Sequence, residues 1–317
     1  MAFPTISGLT LRLESDLGIT KDGSNRVAQW DDQAAVYGNY TQGTDDSKPV
    51  HTANIFGSKS GLLFDGSNDF MANAAAVSGA ISASAFEIFS VVRWMTQPAA
   101  IRGLWNTDNG TAGNNVGIGQ NATAGTQVVY NKPSGTQTNA TVTGTINKKG
   151  YLQHALRQTG TGLRIYDGYA KSRDSGYVTD AADTSATALG YGSYLGRWTT
   201  AYSNCYLGAV IIFNRVLTEA ERQSVLDYLI SEYNIQYPAL FVDPTSGNDS
   251  TGDGLAMSTA WKTMKAATAK ATLSTAYGYR LINRNGQAGE DIAGAAITAT
   301  YGGTSTAQQK IFQTRLS

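Results

Sequence analysis

The residues of this sequence best suited to chemistry are aromatic and amide side chains in glycine-rich segments. The segment GYGSYLGRW, residues 190–198, combines three aromatic residues with one arginine. A sugar-binding site needs apolar surfaces against C–H faces and a few polar groups that fix the hydroxyls. We therefore predict a carbohydrate-binding site formed by Trp105, Asn114, Asn115, Tyr191, Tyr194, Arg197 and Trp198. The alternative is that these residues pack at the rim of the fold or in a subunit interface, where Tyr, Trp and Arg are enriched.

A short acidic segment, FDGSNDF at residues 64–70, offers a different chemistry. Calcium prefers several carboxylate and carbonyl oxygens on a flexible loop. Asp65, Asn68 and Asp69 supply such oxygens and are candidate metal ligands, with calcium as the implied cofactor. Their spacing does not match an EF-hand loop. The alternative is that Asp65 and Asp69 accept hydrogen bonds from backbone amides in a turn between two strands.

Catalytic patterns are weak in this sequence. Hydrolysis of a glycosidic bond requires two carboxyl groups that flank the bond, whereas the predicted strands carry isolated acids such as Glu87. The GxSxG nucleophile elbow does not occur. Neither His51 nor His154 has a third group that would make it a general base, and Cys205 lies among apolar residues, as an inert buried thiol would. These observations favour a protein that is not an enzyme.

The composition excludes several classes of partner. The chain has 317 residues, with 24 Lys+Arg against 24 Asp+Glu, and only 15% of its residues are charged. A neutral chain lacks the basic footprint of a nucleic-acid-binding protein. No apolar run approaches the roughly 20 residues that span a bilayer. We therefore expect no nucleic-acid partner and no membrane insertion.

The elements that must position these residues are mainly β-strands. Short apolar or alternating runs are separated by Gly, Asn, Ser and Thr, a pattern typical of a sandwich rather than a βαβ fold. Strands are predicted at Leu9–Leu13, Phe86–Trp94, Gln127–Tyr130, Leu163–Tyr166 and Val210–Phe213.

One helix is predicted over residues 219–234. Thr218 and Glu221 form a capping box at its start. Apolar residues then recur at helical spacing, as expected for a helix that packs on a sheet. The fold class is therefore an all-β sandwich with a C-terminal helix.

The chain is predicted to divide near Pro238, where the helical pattern stops. The first domain would cover residues 1–237 and the second residues 238–317. The second begins with a strand at Phe241–Val242, continues through a polar loop over 245–254, and includes a short helix centred on 264–271.

The first domain resembles the LamG-like branch of the concanavalin A-like lectin/glucanase fold, a jelly-roll sandwich. The matching motifs follow the order of that family: LTLRLESD (9–16), RVAQWDDQ (26–33), Lys48-Pro49, GLLFDGSNDF (61–70) and FNRVLTEAERQSVLDYLISEY (213–233). Glucanases of this fold carry their acids in a Glu-x-Asp-x-(x)-Glu run on one strand. This sequence lacks that run, so the resemblance implies a binding rather than a hydrolytic domain.

The second domain resembles the opening of right-handed parallel β-helix proteins, such as pectate lyases and phage tailspikes. The resemblance rests on the loop GNDSTGDG (247–254) and the short helix after it. Fewer than 50 residues follow residue 271. A solenoid buries its core only by stacking several coils, so this segment is expected to be a truncated β-helix or one completed by other chains.

Together the two resemblances imply a non-enzymatic bacteriophage virion protein, located on the particle surface as a fibre, spike or decoration. The expected partners are other virion proteins, further copies of the chain in a trimer, and host surface glycans. The alternative is a polysaccharide depolymerase or its carbohydrate-binding module. A secreted or cell-surface adhesion module is a third hypothesis, although the N-terminal residues lack the pattern of a signal peptide.

Overall fold

The regular structure in the described part of the chain is mainly antiparallel β-sheet, as seen in a computed structural model. The structure describes residues 1–76, 78, 81, 85–96, 100–107, 115–121, 127–132, 138–142, 151–158, 162–167, 177–181, 192–235, 239–242, 248, 250, 280–284 and 311–315.

The chain divides into two compact units. The first comprises residues 1–168 and 177–235, and the second comprises 169–176 and 236–317.

The first unit contains nineteen described strands and one helix, in this chain order: β1 (Leu9–Glu14), β2 (Ile19–Lys21), β3 (Val27–Trp30), β4 (Tyr40–Thr41), β5 (Val50–Phe56), β6 (Lys59–Asp65), β7 (Met71–Asn73), β8 (Ala85–Trp94), β9 (Arg102–Thr107), β10 (Asn115–Gln120), β11 (Gln127–Lys132), β12 (Thr138–Val142), β13 (Tyr151–Gln158), β14 (Gly162–Asp167), β15 (Tyr177–Ala181), β16 (Ser193–Leu195), β17 (Arg197–Trp198), β18 (Ala201–Tyr202), β19 (Asn204–Phe213) and α1 (Glu219–Glu232). A short 3-10 helix covers Asp45–Ser47.

These strands form two large sheets and one small hairpin. The eight-stranded sheet has the order β15-β14-β13-β8-β19-β6-β5, and β1 also pairs with β19. The nine-stranded sheet has the order β12-β11-β10-β9-β16-β7-β4-β3-β2, and β17 pairs with β18. The first unit is therefore the predicted all-β jelly-roll sandwich, and all five predicted strands lie within β1, β8, β11, β14 and β19.

The two large sheets face each other across a buried aromatic core. Trp30, Trp94 and Trp105 are all fully buried. Polar contacts also cross between the sheets: the indole N–H of Trp30 donates to the carbonyl of Glu14 at 3.0 Å, and the Gln153 amide donates to the carbonyl of Gly119 at 3.1 Å. Burial of large aromatic side chains is the main stabilising contribution of such a core.

The helix α1 begins as predicted. Thr218 is its N-cap, and the capping box with Glu221 is complete in both directions. The Tyr228 hydroxyl donates to Glu14 at 2.7 Å, and the Tyr233 hydroxyl donates to the carbonyl of Gly208 at 3.0 Å. Because Glu14 and Gly208 belong to β1 and β19, the helix packs against the eight-stranded sheet.

The second unit contains a three-stranded parallel sheet. Its strands, in spatial order, are β20 (Ala239–Val242), β21 (Arg280–Arg284) and β22 (Ile311–Arg315). The predicted strand at Phe241–Val242 lies within β20. The predicted helix at 264–271 and most of the polar loop lie outside the described residues, so the β-helix resemblance remains a prediction.

Candidate functional site

Four half-buried side chains gather on the nine-stranded sheet and its small hairpin. Phe70 precedes β7, Tyr194 lies in β16, and Arg197 and Tyr202 are register partners in the β17–β18 pair. We call Phe70, Tyr194, Arg197 and Tyr202 the aromatic–arginine cluster.

The Arg197 guanidinium lies over two aromatic rings of this cluster. Its Cζ atom is 3.8 Å from the centroid of Tyr194 and 4.3 Å from that of Phe70. The Phe70 ring is also 6.2 Å from Tyr194 and 6.3 Å from Tyr202, with tilted planes. A cation over an aromatic face within about 6 Å is attracted to the ring quadrupole. The cluster is therefore a surface held together by ring and cation–π contacts.

A sharp turn at Gly196 places Arg197 beside Tyr194. Gly196 has a φ of +79°, and a Cβ there would lie 2.1 Å from the Phe64 ring. Its N–H donates to the carbonyl of Leu104, and its carbonyl accepts from Ser203 at 2.7 Å. Only glycine accepts this backbone conformation in so little space. The turn that separates β16 from β17 is thus fixed by the sequence.

Asn106 is a cross-strand neighbour of Tyr194, its register partner on β9. The side chain is fully buried, and its Oδ1 has no hydrogen-bond partner among the described residues. A Cβ at Gly103 would lie 2.6 Å from this oxygen and 2.5 Å from the Arg197 carbonyl. An unsatisfied buried acceptor is costly, by about 1–3 kcal/mol, while the side-chain amide nitrogen of Asn106 donates to the carbonyl of Thr107 at 3.3 Å.

The predicted carbohydrate-binding residues separate into three groups. Tyr194, Arg197 and Trp198 lie together at the cluster, each half-buried. Asn114 and Tyr191 lie outside the described residues, and Asn115 begins β10. Trp105 was predicted to belong to the binding site, but the structure buries it in the core.

Trp105 lies inside β9 and is fully buried in the sandwich. Its indole N–H donates to the Tyr40 hydroxyl at 2.7 Å. Side chains alternate between the two faces of a strand, so Trp105 points into the core while its neighbour Asn106 points to the other face. The ring is therefore not accessible to a ligand.

Phe70 is a member of the cluster that the sequence did not reveal. It is the last residue of the acidic segment, more than 120 residues before Tyr194. The signal available was its position at the end of FDGSNDF, where a strand was expected to resume. The pairing of β16 with β7, and the position of Phe70 just before β7, bring the two residues together.

The acidic segment forms the turn between β6 and β7, with its carboxylates turned to the backbone. Asp65 accepts from the amide of Ser67 at 2.8 Å, and Asp69 accepts from the amide of Asp65 at 3.0 Å. Burial and the nearby charge of Asp65 raise the pKa of Asp69 to about 7. Among the described residues, no group of three or more His, Cys, Asp or Glu side chains is placed to hold a metal. A calcium site at Asp65, Asn68 and Asp69 stays a prediction.

The most extensive buried polar group is one that sequence analysis did not anticipate. Glu87, His154 and Arg222 form what we call the buried ion cluster. The Glu87 carboxylate accepts from Arg222 Nε at 2.5 Å, from His154 Nε2 at 2.6 Å and from the Leu217 amide at 2.8 Å. The His154 ring stacks on Phe89, with centroids 4.3 Å apart.

The protonation states of the buried ion cluster follow from burial and pairing. Burial alone would raise the pKa of Glu87, but hydrogen bonds and charges from His154 and Arg222 outweigh it, so its pKa lies below the ordinary value. Burial lowers the pKa of His154. The cluster therefore contains a carboxylate, a guanidinium and a neutral imidazole. All three side chains are buried, so this group anchors α1 to the sheet rather than meeting a substrate.

The remaining reactive side chains are also occupied. His51 lies in β5, where its Nε2 donates to the carbonyl of Ser15 and its Nδ1 lies 3.1 Å from Lys21 Nζ. Both groups line a polar cleft of about 380 Å³ together with Asp16 and Asp31. Cys205 is fully buried, and burial raises the pKa of its thiol.

No helix in the described part of the chain has the length and apolar character of a membrane span.

Comparisons with known proteins give weak structural likeness. No protein-family profile matches the chain, and no curated protein matches it. The sialidase of Trypanosoma rangeli superposes on 73% of the chain with 16% identity and a TM-score of 0.47. The chain spans about a third of that enzyme's length, 34%.

Two botulinum neurotoxin structures give similar values. The match to the binding domain of serotype D covers 70% of this chain and 51% of the neurotoxin chain, with 8% identity and a TM-score of 0.49. A neurotoxin type C structure, described with an interaction with two ganglioside molecules, covers 74% and 53% with 12% identity and a TM-score of 0.47. At these scores we draw no argument from the likeness, and the fold assignment rests on the sheets themselves.

Proposed function

We propose that this chain is a non-enzymatic glycan-binding attachment protein of a bacteriophage particle, acting through the aromatic–arginine cluster. The observation that carries the proposal is the cluster itself: three half-buried rings and a guanidinium on one surface of a β-sandwich. Aromatic faces pack against the C–H faces of sugars, and Tyr presents a polar hydroxyl at the same place.

The two glutamates of the described strands are closed to a substrate, which supports binding over hydrolysis. Of the acids in the described strands, Glu14 and Glu87 are buried at 1% and 0% exposure and are bound by Arg12 and Arg222. Glycoside hydrolysis needs two carboxyl groups open to a substrate. These two carboxylates serve the packing of α1 instead.

The location on a virion is supported by the LamG-like and β-helix resemblances of the sequence. The expected partners are other virion proteins and further copies of the chain, with a trimer as the expected assembly. Light scattering of the purified chain tests the assembly, and mass spectrometry of purified particles tests the location. A monodisperse monomer that is missing from particles would count against this part of the proposal.

Binding is tested on an array of bacterial surface polysaccharides. The wild-type chain is compared with Tyr194→Ala and Tyr202→Ala, and with Tyr206→Ala as a control. Tyr206 is a half-buried tyrosine of β19 in the other large sheet. We expect binding to fall at least tenfold for the two cluster variants and to persist for the control. Equal binding by all four proteins would remove the cluster from the proposal, and release of reducing ends would show an enzyme instead.

A further inference from the structure

We infer that the aromatic–arginine cluster selects carboxylate-bearing sugars, such as uronic acids, over neutral ones, with Arg197 as the residue that binds the carboxylate. This inference rests on the proposed function, because it names the ligand class of the same site. The inference goes beyond the proposed function because a platform of aromatic rings alone would not distinguish acidic sugars from neutral ones.

Arg197 has no anionic partner in the described part of the chain. Among the described residues it forms no salt bridge and no side-chain hydrogen bond, and its Nε is buried with no partner. The contrast with Arg12, Arg215 and Arg222 is direct, because each of these bonds a glutamate at 2.5–2.6 Å. Stacking on two rings offsets part of the hydration that this half-buried guanidinium has lost, but its N–H donors gain no acceptor among the described residues. A ligand carboxylate would supply that acceptor.

The stacking on two rings prepares the guanidinium for such a ligand. Contacts of 3.8 and 4.3 Å to Tyr194 and Phe70 engage the face of the group. The Nε–H is buried, whereas the N–H donors of the two terminal nitrogens lie in the plane of the guanidinium and not on the face that the rings cover. A planar fork held in one orientation binds a carboxylate with two parallel hydrogen bonds and loses little side-chain entropy in doing so.

The surrounding groups suit the rest of a sugar. The hydroxyl groups of Tyr194 and Tyr202 form no hydrogen bond with another described residue. Each hydroxyl can therefore form a hydrogen bond with a sugar hydroxyl. The nearest acid in sequence is Asp69, next to Phe70, and its carboxylate accepts from the Asp65 amide within the turn. The described cluster therefore offers one cation, aromatic faces and neutral hydroxyls.

The test uses matched pairs of polysaccharides. Polygalacturonate, alginate and hyaluronate are compared with their carboxyl-reduced, neutral forms, by biolayer interferometry of the full chain at low and moderate salt. We expect at least one acidic polymer to bind tenfold to a hundredfold more tightly than its reduced form, which is the ratio that hydrogen bonds to a charged group provide. That preference should weaken as salt is raised.

Variants assign the preference to Arg197. Arg197→Gln should abolish the difference between each acidic polymer and its reduced form, and Arg197→Lys should retain part of it because the charge remains while the fork is lost. Arg26→Gln is the matched control, since Arg26 is a partly exposed arginine whose partner is Asp46. Circular dichroism and melting temperature confirm that each variant is folded.

The outcomes separate the inference from the proposed function. Binding to acidic and reduced polymers with equal affinity, or a preference that survives Arg197→Gln, overturns the inference and leaves glycan binding in place. Binding to none of these polymers while neutral glycans of the array are bound also overturns the inference alone. Failure to bind any glycan on the array or in the polymer set overturns both.

Discussion

Two arginines of this sandwich have opposite environments. Arg222, on α1, is 8% exposed, and its guanidinium donates two hydrogen bonds to the Glu87 carboxylate in the buried ion cluster. Arg197, on the hairpin beside the nine-stranded sheet, lies over aromatic rings and has no carboxylate partner in the described structure. The charge is the same, but its partner differs. The paired arginine stabilises the fold, whereas the stacked arginine is the one that we propose as the ligand-binding residue.

The largest effect is expected for Glu87→Ala. This substitution leaves Arg222 buried without its counter-charge and removes the acceptor of His154 and of the Leu217 amide. Breaking a buried pair by removing one partner costs about 3–5 kcal/mol. Urea unfolding followed by circular dichroism should show a loss of this size in the free energy of unfolding. A loss below about 1 kcal/mol would mean that the cluster does not anchor the helix.

The two arginines should then respond differently to the same replacement. Arg222→Met removes the partner of a buried carboxylate and should cost several kcal/mol, at least about 3. Arg197→Met removes a half-buried group without an ionic partner, so the free energy of unfolding should change by about 1 kcal/mol or less. Both variants are measured by the same urea titration. Similar losses for the two variants would contradict the distinction between a structural and a ligand-facing arginine.

The buried ion cluster should also make stability depend on pH. The pKa of His154 is lower in the folded state than in the unfolded chain, so the unfolded state takes up a proton first as the pH falls below about 6.5. The pKa of Glu87 is lowered as well, so further stability is lost as the pH falls below about 4.3 towards the folded-state pKa. Asp69, whose pKa is raised to about 7, acts in the opposite direction between pH 7 and 4.

The contribution of His154 is isolated by subtraction. Melting temperatures of the wild type and of His154→Gln are measured from pH 7.5 to pH 5, a range in which Asp69 affects both proteins alike. We expect the difference between them to shrink as the pH falls, because the variant has no imidazole to protonate. A constant difference across this range would show that His154 titrates equally in both states.

The smallest effect is expected at the acidic turn, a third kind of charged site in which backbone amides are the partners. The carboxylates of Asp65 and Asp69 already accept hydrogen bonds from this turn. Removal of divalent ions with EDTA, followed by addition of calcium, should therefore shift the melting temperature by less than about 1 °C, as for a site that gains no ligand-linked stability. A calcium-dependent rise of several degrees would instead establish the metal site predicted from the sequence.

Local patterns of the sequence were sufficient for α1 and for five strands of the first unit. The capping box at Thr218 and Glu221 marks the start of α1, because the two side chains bond to amides only three residues away. Alternating or apolar runs identified β1, β8 and β19 for a similarly local reason. The turn role of Asp65 is equally local, since its partners follow within three residues.

The buried ion cluster could not be predicted from local sequence patterns. Glu87 and Arg222 are 135 positions apart, and Glu87 reads as an isolated acid in its strand. Only the packing of α1 on the sheet makes the two residues neighbours. A single sequence carries no signal for such a pairing, because the partners share neither a motif nor a spacing.

The sequence by itself determined the strand-rich class, the helix and its cap, and the aromatic segment at 190–198, since each depends on residues close together in the chain. Tertiary structure decided which aromatic side chains face outward. Trp105 and Tyr194 lie on adjacent paired strands, yet one is in the core and the other on the surface. Side chains alternate at every residue of a strand, so a shift of one position reverses the face. Register, set by long-range pairing, therefore placed Phe70 beside Tyr194 and left Trp105 inside.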